Sequence, residues 1–118
     1  MDDTQVRERL DELRREATGR LAALEEQLDD IAVARRDANS DDEHDPEGST
    51  LAFDRAQAAV LAADARRQLD EVDAASARLD DGTYGRCERC GRPIPDARLT
   101  ARPTARLCVD CQAAVERR

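Results

Sequence analysis

Cys87-Glu88-Arg89-Cys90-Gly91 and, after seventeen intervening residues, Cys108-Val109-Asp110-Cys111 decide how this chain is read. Two Cys-x2-Cys turns at that separation fit the four-cysteine zinc template. The reason is geometric. A tight turn brings two thiolates and nearby backbone N–H groups to one side of a metal, and a second turn completes a tetrahedron. Gly91 follows the first pair, where a left-handed turn is easiest without a Cβ. The expectation is one structural Zn²⁺ held by Cys87, Cys90, Cys108 and Cys111. Four protein ligands leave no open position for catalysis. The segment is poor in apolar residues, so the metal must supply its stability, on the order of 10–16 kcal/mol near neutral pH. An iron–sulfur cluster uses the same residue set, as does a redox pair, although no βαβ pattern surrounds the cysteines. Oxidant sensing by the zinc-bound thiols stays open as a second role.

Upstream of the cysteines the pattern changes. Val6, Leu10, Leu13, Ala17, Leu21, Leu24, Leu28 and Ile31 recur at a spacing of about 3.6, which predicts one helix running to about Ala38. Asp2, Asp3 or Thr4 can cap its start. Residues 39–49 then hold no apolar side chain except Pro46, and Pro46 and Gly48 both disfavour helix. This very acidic stretch reads as a turn. Ser49 or Thr50 can cap a second helix, with a stripe of Ala58, Leu61, Ala65, Leu69, Val72, Ala75 or Ser76, and Leu79, ending at Asp81-Gly82. Two matched amphipathic helices joined by a short polar turn predict an antiparallel hairpin within the chain rather than helices that pair with another copy. The fold class expected is all-α: a coiled-coil hairpin over 1–81 with an acidic tip loop 39–49, then a zinc finger and short terminal helix over 82–118.

Composition agrees. Aromatics are 2% of the 118 residues and charged residues 39%, a mixture typical of long helices. From Gly82 onward eight arginines face four acids, a net +4, which leaves −12 of the total −8 on residues 1–81. Four thiolates on Zn²⁺ bring the finger to about +2. Met1-Asp2-Asp3 opens no secretory signal and no apolar run approaches membrane length, so a cytoplasmic, membrane-free, monomeric protein is expected. His44, the sole histidine, lies in the expected tip loop, at the opposite end of the hairpin from the cysteines, and reads as a solvated residue.

The stretch Gly82-Thr83-Tyr84-Gly85-Arg86-Cys87-Glu88-Arg89-Cys90-Gly91, then Ile94, Arg98-Leu99, Ala101-Arg102-Pro103-Thr104-Ala105, Leu107-Cys108 and Asp110-Cys111, closely resembles the DksA/TraR family of bacterial transcription factors. The resemblance implies direct binding to RNA polymerase without a DNA sequence. The zinc base and C-terminal helix would grip the rim of the secondary channel, and tip acids would act near the catalytic centre. Asp45 aligns with the start of the family's tip motif Asp-x-x-Asp-x-Ala, but Gly48 and Thr50 stand at its second acid and its alanine. Asp42 and Glu47, with Asp41 and Glu43, are the nearby acids that could substitute. Members that respond to guanosine tetraphosphate use three basic positions. Here they fall on Arg102, Glu71 and Gln112, which implies a weak response or none. The competing functions are a nucleic-acid-binding zinc module, which the acidic charge opposes, and a zinc-clamped coiled-coil adaptor. No nucleophile–base pair or phosphate loop suggests an enzyme.

Overall fold

The structure, a computed structural model, describes the backbone of residues 1–38 and 46–117 and the side chains of residues 1–37 and 50–117. Its helices are α1 (Asp3–Ala38), α2 (Pro46–Asp81), α3 (Asp96–Ala101) and α4 (Val109–Glu116). Among the described residues the only β-type bridge is an isolated antiparallel one between Arg86 and Pro93.

Of the three candidate caps for α1, Asp2 is the one used. Its carboxylate accepts from the Gln5 N–H at 2.8 Å, and the Gln5 side chain accepts from the Asp2 N–H at 3.0 Å. Two donors at the helix start are thereby satisfied reciprocally. The start of α2 differs from the sequence reading: it begins at Pro46, not after Ser49 or Thr50, so residues 46–49 are helical rather than loop. A proline as first helical residue has its φ already set, and its missing N–H is one that a first turn leaves unused. Gly48 in that turn costs only about 1 kcal/mol relative to alanine. Asp42, His44 and Asp45 lie outside the described residues, as does the Glu47 side chain.

The chain forms two compact units, Met1–Arg14 with Asp70–Arg118, and Arg15–Leu69. The division does not fall between 81 and 82: the first turns of α1 and the last of α2 belong with the cysteine segment. In this first unit Val6 and Leu10 from α1 bury against Val72, Ala75 and Leu79 from α2, with Leu13 and Tyr84 packed beside them. Arg7 pairs with Asp80 at 2.8 Å and Arg14 pairs with Asp73. Seven residues forward on one helix match seven backward on the other, so the two run antiparallel.

In the second unit Arg20 donates to Gln68, and Arg66 pairs with Glu25 at 3.3 Å, again in antiparallel order. Its buried residues are Ala17 and Ile31 on α1 and Ala58, Ala62 and Ala65 on α2. The α1 stripe is the one read from the sequence. The α2 stripe is shifted: Ala62 is fully buried, whereas Leu61 is 47% exposed. With Ala58 and Ala65 on either side, Ala62 continues a buried row of small side chains. Leucine at 61 lies off that line. The exposed ion pairs contribute little stability each.

Candidate metal centre

The last turn of α2 launches the cysteine segment. The Arg78 carbonyl accepts from the N–H groups of Thr83 (2.9 Å) and Tyr84 (3.1 Å), closing the helix around Gly82 at φ +81°. Few residues other than glycine take that left-handed position cheaply. The Asp81 carboxylate receives the Thr83 N–H and hydroxyl, which lowers its pKa below the ordinary value.

The first Cys-x2-Cys turn then forms. Cys87 N–H donates to Arg92 O at 2.9 Å and Gly91 N–H to Cys87 O at 3.0 Å, with Gly91 at φ +74°. Glu88 N–H donates to Arg106 O at 2.9 Å, which ties this turn to the strand of chain that leads to Cys108. Cys108 is itself the N-cap of α4, and its sulfur accepts from the Cys111 N–H at 3.4 Å. The second turn is thus the entry of a helix, where backbone N–H groups point at the sulfurs.

All four Sγ atoms lie within 4.8 Å of one another. Cys90 and Cys108 are 3.9 Å apart at sulfur, far beyond a disulfide bond of about 2.05 Å. A zinc tetrahedron with arms of about 2.3 Å has sulfurs about 3.8 Å apart, so the cluster has the size of a Zn(Cys)4 site. Cys87 is buried, Cys90 exposed, and Cys108 and Cys111 between. Burial pushes the Cys87 thiol up, but N–H groups of Cys90, Cys108 and Arg89 outweigh it and bring its pKa down to about 6. Hydrogen bonding to Cys108, with burial, pushes Cys111 up to about 12. Four thiolates this close need a cation to coexist, and Zn²⁺ supplies it.

A small apolar cluster lies under the metal residues: Cys87, Ile94, Leu99 and Ala105 are buried, with Tyr84, Leu107, Cys108 and Cys111 against them. Leu99 comes from α3, a helix the sequence reading did not place. Its sign is Pro95-Asp96 followed by Leu99, a proline and an acid ahead of one apolar residue. Arg98, on the same helix, donates from Nε to Leu107 O at 2.8 Å. Tyr84 packs against both this cluster and the helix-pair cluster, and its hydroxyl donates to Pro103 O at 2.7 Å.

Residues 82–117 match the model of the prokaryotic DksA/TraR C4-type zinc finger. They belong to that family of fingers, and the zinc is structural. A solved structure of the transcription factor DksA2 from Pseudomonas aeruginosa is similar over 99% of this chain and 87% of its own, with a TM-score of 0.78 and 28% identity. General stress protein 16O of Bacillus subtilis is 34% identical over 105 residues, 89% of this chain. The RNA polymerase-binding transcription factor DksA of Caulobacter vibrioides is 49% identical over 53 residues, 45% of this chain. This chain spans 63% of the length of the Bacillus protein and 37% of the Caulobacter one.

Within the DksA/TraR finger, Arg102 is exposed at the C-terminal end of α3. It lines a depression of about 220 Å³ together with Glu71, Arg98, Arg106 and Gln112. The three positions that the resemblance links to a nucleotide therefore do meet, but one is an acid and one an amide. Sequence reasoning gave no role to Arg78, the one charged side chain buried among the described residues.

Proposed function

We propose that this protein is a bacterial transcription regulator that binds RNA polymerase and acts through the enzyme's secondary channel, with the segment between α1 and α2 near the catalytic centre. The likeness to the DksA2 transcription factor over nearly the whole chain is the observation that carries this reading. The DksA/TraR finger and the Caulobacter relative, named for polymerase binding, support it. Each long helix has 36 residues, about 54 Å at 1.5 Å per residue, long enough to carry acids deep into a pore. No described helix is long and apolar enough to cross a membrane. In this reading the protein is a cytoplasmic monomer without enzymatic activity or sequence-specific DNA contact. Asp45, with Glu47 and Asp42, carries the regulatory charge. Glu71 and Gln112 beside Arg102 leave guanosine tetraphosphate little purchase.

The test is a pull-down with core RNA polymerase beside transcription in vitro. Wild type should be retained by the polymerase and alter transcription. Asp45→Asn should keep its affinity and lose part of its effect. A variant neutralised at Asp41, Asp42, Glu43, Asp45 and Glu47 should lose most of it. Regulation unchanged by full neutralisation would remove the tip from the mechanism, and no retention at all would refute the function.

A further inference from the structure

Arg78 is the one charged side chain buried among the described residues, and it links α2 to the cysteine segment. It lies in the last turns of α2, yet its guanidinium is directed to both cysteine-bearing segments. Nη2 donates to Thr104 O at 3.4 Å, four residues before Cys108. Nη1 is 3.9 Å from the carboxylate of Glu88, which stands between Cys87 and Cys90. Arg106 approaches the same Glu88 oxygen at 3.9 Å. The Arg78 carbonyl meanwhile closes α2 by accepting from Thr83 and Tyr84. Its side chain is 11% exposed, and burial with the nearby Arg106 lowers its pKa despite Glu88.

A buried guanidinium is tolerable only while its partners stay in place. Glu88 lies within the first Cys-x2-Cys turn, and Thr104 lies in the segment that leads into the second. Loss of the metal would therefore be expected to release the Glu88 carboxylate and the Thr104 carbonyl from Arg78, and Pro103 from Tyr84. The helix-pair cluster then keeps Val6, Leu10, Val72, Ala75 and Leu79 but no aromatic cover.

We propose that Arg78 is a positioning residue of the zinc site and couples metal binding to the first turns of α1 and the last turns of α2, so that these helix ends and the finger order or melt together. This goes beyond the polymerase reading and does not depend on it. It also extends the effect of a lost thiolate beyond 82–118 to those helix ends.

Two measurements on the full chain test it. The first is zinc affinity by chelator competition. Arg78→Met keeps the apolar stem and removes the charge, and should weaken zinc binding about 5- to 100-fold, the range of ordinary coupling between two sites. Arg7→Met removes an exposed pair with Asp80 on the same unit and should stay within twofold. An Arg78→Met affinity within twofold of wild type overturns the proposal. The second is hydrogen exchange on wild type with and without EDTA, which decides the matter even if Arg78→Met fails to fold. Amides of residues 6–14 and 72–81 should lose protection in the same step as those of 86–112. Retained protection at 6–14 while the finger exchanges freely overturns the coupling.

Discussion

Replacing Tyr84 tests the junction directly, because its two functions separate by mutation. Tyr84→Phe keeps the ring and removes only the hydroxyl that donates to Pro103 O at 2.7 Å. A single neutral hydrogen bond is worth about 1 kcal/mol net. Tyr84→Ala also removes the ring from both apolar clusters. A fully buried aromatic cut to alanine costs about 3–5 kcal/mol. Tyr84 is half-buried, so its ring accounts for about 2–3 kcal/mol, and hydroxyl and ring together for about 3–4. For a chain of this size each kcal/mol lowers Tm by about 4 °C. Thermal unfolding of the zinc-saturated protein should therefore fall by about 4 °C for phenylalanine and by more than 10 °C for alanine. The same residue gives a pH test. Burial raises the Tyr84 phenol above its usual value of about 10. Its neutral form is the one the fold prefers, so this contribution is complete below pH 10 and is lost as pH rises through the raised value. Tyr84 is the sole tyrosine and there is no tryptophan, so the long-wavelength tyrosinate band reports its ionisation alone. Equal melting temperatures for wild type and Tyr84→Ala would refute the junction outright.

Other substitutions probe the remaining structure. Cys87→Ser should abolish stoichiometric zinc and broaden or split the thermal transition, which metal analysis and circular dichroism check together. Leu10→Ala removes one of the two largest fully buried side chains and should cost about 2–5 kcal/mol in chemical denaturation, whereas Leu61→Ala, at an exposed site, should stay within about 0.5. Asp2→Ala breaks the reciprocal cap with Gln5 and should cost about 1 kcal/mol in the same assay.

Much of this architecture is legible in the residues, for physical reasons that differ by region. The α1 stripe is built on leucines at strict helical spacing, so period and burial coincide from Val6 to Ile31. The cysteines are legible because a tetrahedral metal fixes their spacing. On α2 the reading slips by one residue at Leu61, because it weighs side chains by size while the contact between these helices selects alanine. The start of α2 was obscured by Pro46, which resembles a breaker until it is recognised as a first residue. Arg78 left no sign: an arginine beside Leu79 on a polar-rich helix looks solvated, and only the return of Glu88 and Thr104 buries it.

The scarcity of aromatics also determines where stability is concentrated. The single phenylalanine, Phe53, is 69% exposed and supports no core, while the single tyrosine stands where the finger meets the helix ends. In the second unit the buried residues of α2 are all alanines. Alanine hides little area at roughly 25 cal/mol per Å², so burial of α2 there comes without a large apolar gain. The first unit has Leu10, Val72 and a metal whose binding energy, on the order of 10 kcal/mol or more, rivals the whole stability of an ordinary domain. Zinc in this protein therefore does for the helix ends what a larger hydrophobic core would do elsewhere. That is why a side chain outside the coordination sphere, such as Arg78 or Tyr84, can matter to both.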